Sequence, residues 1–187
     1  MNTKYNPLIN NDLRCASNSA YQALKATYLN NIFNLLNQDE TTEFIGHIAQ
    51  HSHLEALYAI ENILNYWNIQ YMHFIDKSEL NRNNIKNKKI FYNITSENSK
   101  IYHDFEIDGY FFELTSAIYF KNNGFHYVAL VKQPNNNVEI CNDLSVKSPK
   151  IENPNIDFYN FPNHLIESGN DYICVGCIYQ KINDDQV

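Results

Sequence analysis

The sequence predicts an α+β fold, with helices first and an antiparallel sheet after them, and three observations carry this. Apolar residues recur at helical intervals through about residues 1–70. From about residue 88 to 182, short β-branched and aromatic runs take over, separated by turn sequences rich in Asn, Pro and Gly. These runs follow one another with no helical pattern between them, which distinguishes the chain from an alternating α/β arrangement. A length of 187 residues suits one domain, 1–187, with a core of its own.

Along the chain, Ala16, Ala20, Leu24 and Tyr28 recur every four positions after Cys15 and predict a first helix. The pattern resumes through Ile32, Phe33, Leu35 and Leu36 after a break predicted at Asn30-Asn31. A second long helix should begin after Gln38-Asp39-Glu40-Thr41-Thr42, whose acids and hydroxyls suit a helix N-terminus. Phe44, Ile48, Leu54, Leu57, Leu64 and Trp67 follow at helical spacing, with an interruption around His51-Ser52-His53. The polar, Asn- and Lys-rich stretch Leu80–Lys89 reads as a loop or insertion. Strands are expected at Ile90–Thr95, Ile101–Ile107, Tyr110–Phe120, Phe125–Gln133, Val138–Cys141 and Tyr172–Ile182.

Composition narrows the function classes. A net charge of −7 argues against nucleic acid, which needs a basic face to neutralise phosphates, and fits a basic protein or peptide as partner. No apolar run reaches the roughly 18–20 residues of a membrane span. The opening MNTKYNPLINND has no apolar signal core. A soluble, cytoplasmic monomer without a cofactor is the expectation. The about 30 scattered asparagines resemble the codon bias of an AT-rich genome rather than a low-complexity tract.

Four cysteines, 15, 141, 174 and 177, are expected as free thiols. Cys174 and Cys177 have the spacing of half a zinc site. They sit inside a strand pattern, however, where alternation would send their sulfurs to opposite faces. His47 and His51, with His53 nearby, have helical i, i+4 spacing but lack the glutamate of a metalloprotease helix, so no metal is expected. Cys15 differs, because it opens a helix, where the dipole and free N–H groups favour a thiolate. His126 begins an apolar strand after a turn, and the short strand Val138–Cys141 delivers Asn142 and Asp143. A thiol on a helix, a histidine on a strand and an amide or carboxylate on the next strand follow the order nucleophile, base, orienter of the papain-like triad.

More of the chain shares this pattern. Pro7-Leu-Ile-Asn10-Asn-Asp-Leu-Arg-Cys15-Ala-Ser-Asn18-Ser19-Ala-Tyr-Gln22-Ala-Leu24 resembles a cysteine box of the form G-L-x-N-x-G-N-T-C-Y-M-N-S-x-L-Q-x-L. Gln38-Asp39-Glu40-Thr41-Thr42-Glu43-Phe44 is similar to Q-Q-D-A-x-E-F. Gly124-Phe-His126-Tyr127-Val-Ala129-Leu-Val131 and Cys141-Asn142-Asp143-Leu-Ser-Val146 resemble G-H-Y-x-A-x-V and F-N-D-x-x-V. The closing Cys174-Val-Gly-Cys-Ile-Tyr179-Gln-Lys181 is similar to A-Y-x-L-F-Y-x-R. These boxes are those of the ubiquitin-specific proteases. The resemblance touches both ends and skips the middle, with departures at Asp12, Leu13, Arg14 and the extra Phe125, and without the zinc-binding fingers insertion.

The resemblance implies a papain-like fold and a thiol-dependent deubiquitinase, a cysteine hydrolase of ubiquitin or ubiquitin-like conjugates. It implies Cys15 as nucleophile, His126 as base and proton donor, Asn142 as orienter with Asp143 beside it, and Asn10 as oxyanion donor. Glu40 and Glu43 would grip the arginines of the ubiquitin tail, or simply form an acidic first helical turn. Tyr127 would wall the groove for a Gly-Gly end, or be core. Two other readings fit the same residues: another papain-like enzyme, such as a C39-like peptidase or an acyltransferase, and a non-catalytic ubiquitin-binding module.

Overall fold

Every residue of the first helix from Cys15 to Leu24 is buried, so the other elements must cover it on all sides. In the computed structural model, which describes residues 14–51, 55–121, 126–142 and 156–182, this helix is α1 (Cys15–Lys25). It packs on α3 (Gln38–His51) and α4 (Ala56–Tyr66) and against the sheet strands β4 and β5. Small residues permit the close approach: Ala20 and Ala23 share one buried cluster with Ala129 and Val131 of β5 and Ile118 of β4. Aromatic rings fill the space between the helices. Tyr21 stacks on Phe33 with centroids 4.5 Å apart, and Trp67 packs on Phe33 at 5.2 Å and on Phe44 at 4.5 Å.

The helix boundaries differ in detail from those predicted. The first break falls before the Asn30-Asn31 pair, which instead opens the short α2 (Asn30–Phe33). The cause is Thr27, whose Oγ1 donates to the Leu24 carbonyl at 2.6 Å and accepts from the Leu29 N–H at 3.1 Å, taking over bonds that a continuing helix would make. The acid-hydroxyl segment forms the first turn of α3 rather than preceding it. Asn37 closes that end reciprocally, its Oδ1 accepting from Glu40 N–H at 2.9 Å and its Nδ2 donating to Glu40 Oε1 at 2.8 Å.

The strands are β1 (Tyr71–Phe74), β2 (Ile90–Ile94), β3 (Phe105–Ile107), β4 (Tyr110–Lys121), β5 (His126–Lys132), β6 (Val138–Cys141), β7 (His164–Glu167) and β8 (Asn170–Ile182). They form one eight-stranded sheet of order β1-β2-β8-β4-β5-β6, with β3 paired to β4 and β7 to β8. All pairings are antiparallel except β1 with β2. The long strands β4 and β8 are its spine. Asp108-Gly109 and Ser168-Gly169 have φ of 52°, 85°, 51° and 75°, the left-handed pairs of two-residue hairpins. β1 and β7 were not predicted, and of Ile101–Ile107 only the last three residues pair. Leu80–Lys89 is not all loop. Asn81 accepts from the N–H groups of Asn83 and Asn84 and starts the one-turn α5 (Arg82–Ile85), whose Ile85 is buried.

Each face of the sheet carries its own apolar cluster. One packs under the helices. The other, with Phe74, Phe91, Phe112, Tyr119, Leu130, Leu165 and Tyr179 from the strands, includes Leu80, Ile85 and Phe161 from the segments between them. Cys174 and Cys177 correct the alternation argument. The pairing of β4 with β8 steps from Ile118↔Gly176 to Tyr119↔Cys174, skipping Val175, and this irregularity turns both sulfurs to the same face, 3.8 Å apart. Beside it, a Cβ at Gly176 would overlap the phenol of Tyr92, which is 3 % exposed. Gly176→Ala is therefore expected to cost about 1–3 kcal/mol by overpacking, read from the urea unfolding midpoint. A midpoint equal to wild type would show that Tyr92 moves aside freely.

Candidate active site

α1 packs along β5, with Cys15 the first residue of the helix and His126 the first residue of the strand. Near its C-terminal end, α1 is tied to the sheet by the Ser116 hydroxyl, which donates to the Ala23 carbonyl at 2.9 Å. Ser116 is the register partner of Val131 near the far end of β5. From there α1 runs back about 12 Å to Cys15, and β5 runs back about 17 Å to His126. Cys15 lies close enough to Tyr127 to act on the charge of its phenol, in keeping with the two running the same way.

Alternation along β5 separates the side chains by face. Tyr127, Ala129 and Val131 join the cluster under the helices, whereas His126 sides with Val128 and Leu130 on the other face. There its Nε2 lies 2.7 Å from Oδ1 of Asn142. Asn142 follows Cys141, the partner of Ala129, so it sits on the diagonal from His126 on the same face. Its Nδ2 donates in turn to Oε2 of Glu167 at 3.0 Å, and the Ser168 hydroxyl donates to Oε1 of Glu167 at 3.1 Å. The Tyr172 ring lies edge-on to the imidazole at 6.3 Å. His126, Asn142 and Glu167 are all buried, at 6 %, 5 % and 3 % exposure.

This chain of bonds fixes its proton positions. A carboxylate only accepts hydrogen bonds, so the Asn142 amide must turn its NH₂ to Glu167 and its oxygen to His126. An amide oxygen also only accepts, so the imidazole proton sits on Nε2 and Nδ1 is the basic nitrogen.

The other singled-out residues are placed as follows. Asn10 and Asp143 lie outside the described residues, as do Gly124 and Phe125. Tyr127 is half-buried on the helix face, and its phenol oxygen accepts the backbone N–H of Ala56 at the start of α4. Burial raises its pKa, partly offset by that bond, with Glu55 and Cys15 adding to the rise. It is a strut between sheet and helix. Glu40 and Glu43 line an exposed groove of about 470 Å³ with Leu36, Phe44, His47, Tyr66 and Trp67. Its glutamates lie one to two turns along α3 from Gly46, the residue against which the Arg14 guanidinium packs. Glu40 also serves the helix cap described above. His47 is exposed, and the His51 side chain and His53 are outside the described residues. Among the described residues no group of His, Cys, Asp and Glu is arranged to hold a metal.

Glu167 escaped the sequence reading. The signal was present: Ser168-Gly169 separates two alternating runs, His-Leu-Ile-Glu and Asp-Tyr-Ile-Cys, and marks a hairpin whose last residue before the turn is this glutamate. No protein-family model matches the chain, and no curated protein matches it significantly.

The four thiols differ in setting. Burial, with Glu139 nearby, pushes the Cys141 thiol up. Cys177 is pushed up by Cys174 and by burial. At Cys174 burial opposes ionisation, and bonds from Cys177 and the Thr95 hydroxyl more than offset it, but the sulfur is shut in the core. Cys15 alone opens a helix. All four thiols are buried, Cys15 and Cys141 alike at 4 % exposure, so helix-terminus position rather than exposure sets Cys15 apart, and limiting iodoacetamide at neutral pH is expected to modify it first. Peptide mapping that found Cys174 or Cys177 labelled first in the folded protein would remove Cys15 as nucleophile.

Proposed function

We propose that this protein is a cysteine isopeptidase of papain-like architecture that removes ubiquitin or a ubiquitin-like modifier from protein conjugates. The observation that carries this reading is the hydrogen bond from His126 to Asn142 at the end of the sheet toward which the N-terminus of α1, with Cys15, points. A base whose remote nitrogen is held by an amide oxygen keeps Nδ1 for a thiol, and a helix N-terminus stabilises the thiolate. The reading requires Nδ1 of His126 to meet Sγ of Cys15 around the end of β5.

The chemistry then runs in two stages. The Cys15 thiolate attacks the isopeptide carbonyl carbon, and the His126 imidazolium gives its Nδ1 proton to the departing lysine amine. Water, deprotonated by His126, cleaves the resulting thioester and regenerates the thiolate. Asn142 holds the imidazole throughout. Asn10, from the cysteine box, would donate to the oxyanion, an interaction worth roughly 3 kcal/mol of barrier.

The groove on α3 supports a cationic tail as ligand. Two carboxylates line it together with aromatic side chains, and the chain's negative charge attracts a basic segment. Among the described residues no helix is long and apolar enough to cross a membrane.

The decisive experiment is reaction with ubiquitin carrying a thiol-reactive group at its C-terminus. A covalent adduct at Cys15, absent in Cys15→Ala and His126→Ala, is expected. No adduct, with Cys15 still hyper-reactive toward iodoacetamide, would point to a papain-like enzyme of another substrate. With a ubiquitin-fluorophore substrate, Cys15→Ala and His126→Ala should abolish turnover, and Asn142→Ala should lower it by roughly one to three orders of magnitude. Asp143→Ala should range from mild to comparable. Loss of activity in Asp143→Ala with a silent Asn142→Ala would make Asp143 the orienter. Glu43→Lys should raise KM by roughly tenfold and leave kcat unchanged, measured at low salt where the charge pairing is strongest. An unchanged KM would remove the groove from the tail's path.

A further inference from the structure

We infer that Glu167 is a positioning residue for His126, acting through Asn142 to select the imidazole tautomer. The inference rests on the isopeptidase reading for its purpose, but not for its test.

Both oxygens of Glu167 are engaged, Oε2 by Asn142 Nδ2 at 3.0 Å and Oε1 by the Ser168 hydroxyl at 3.1 Å, and the residue is 3 % exposed. Taking a carboxylate out of water is costly and is sustained only where its lone pairs are satisfied. A glutamine or an apolar residue would close the hairpin without that cost. What a carboxylate does that neither can is to forbid one orientation of Asn142. Facing an acceptor-only group, the amide has one way to lie, with Oδ1 toward His126 at 2.7 Å. The proton is thereby held on Nε2, and Nδ1 is left basic. With a glutamine at 167 either orientation of Asn142 can be paired, since each amide can donate or accept, and the imidazole can then carry its proton on either nitrogen. Glu167 also aligns the amide dipole so that a negative end meets the imidazole when it becomes cationic. The rigid two-residue turn at Ser168-Gly169 keeps the carboxylate in place.

The test is the tautomer itself, read from long-range proton–nitrogen spectra of the nitrogen-15-labelled full chain, with the His126 signals assigned by their loss in His126→Gln. The spectra are recorded at alkaline pH in a Cys15→Ala background, because the Cys15 thiolate would hold the imidazole doubly protonated, whereas turnover is measured with Cys15 intact. In that background the otherwise unaltered chain should show the Nε2–H form alone. Glu167→Gln should show a mixture of tautomers, and turnover of the ubiquitin-fluorophore substrate should fall about tenfold in kcat with KM unchanged. The double variant Asn142→Asp with Glu167→Gln reverses the pair: the new amide at position 167 donates to the new carboxylate at position 142, which accepts from His126 in every orientation. It should restore the single Nε2–H form and most of the lost kcat. A Glu167→Gln spectrum that keeps the Nε2–H form alone would overturn the inference. If Glu167→Gln does not fold, Glu167→Met carries the test, since it too leaves Asn142 without an acceptor-only neighbour: a mixture of tautomers supports the inference and the Nε2–H form alone overturns it. The spectra need no substrate, so a wild type that fails to cleave ubiquitin conjugates would refute the proposed function and leave this result standing.

Discussion

The close approach of α1 to the sheet is the constraint on which the rest of the structure depends. Alanines at 20, 23 and 129 let helix and strand backbones come near enough for Ser116 to bond the Ala23 carbonyl directly. That one contact sets how far the helix reaches along β5, and so which strand residue its first turn overlooks. Packing in protein interiors is dense enough that such a relation is held to fractions of an ångström. A larger side chain at any of these alanines would lift the helix off the sheet and move Cys15 with it.

The polar chain from His126 to Glu167 obeys a different rule. It is buried, it is drawn from the start of β5, the residue after β6 and the end of β7, and its hydrogen bonds run in one line from His126 through Asn142 and Glu167 to the Ser168 hydroxyl. Fully satisfied polar networks of this kind rigidify what they connect, whereas partly satisfied ones destabilise it. Tyr172 covers the imidazole from one side. The arrangement is therefore preorganised by the fold and does not need a ligand to assemble it.

Much of this was legible in the residues. The α+β order, the helix opening at Cys15 and the strand bounds of Val138–Cys141 follow from local periodicity and turn chemistry, which act over a few residues. His126 and Asn142 could be named together because antiparallel neighbours place strand ends side by side. What stayed hidden depends on long-range pairing. The parallel partner β1 has little alternation of its own and exists through β2. The shared face of Cys174 and Cys177 arises from a register step against β4, which no local pattern in β8 reveals. Glu167 becomes meaningful only when the hairpin of β7 and β8 is set beside Asn142, the residue after β6. The helix break at Thr27 was missed because a single hydroxyl, not a glycine or proline, causes it.

The strand order bears on how the chain is made. β8 is the last described strand, yet it lies in the middle of the sheet, between β2 and β4. Without β8, the pair of β1 with β2 and the set of β3, β4, β5 and β6 have no strand pairing between them, and β2 and β4 would each present an open edge. Contacts between residues so far apart in sequence form late and slowly, and exposed strand edges are where nascent chains associate wrongly. The carboxylate behind the histidine arrives with that same closing hairpin. A nascent chain thus carries its thiol well before it carries the group that aligns the base.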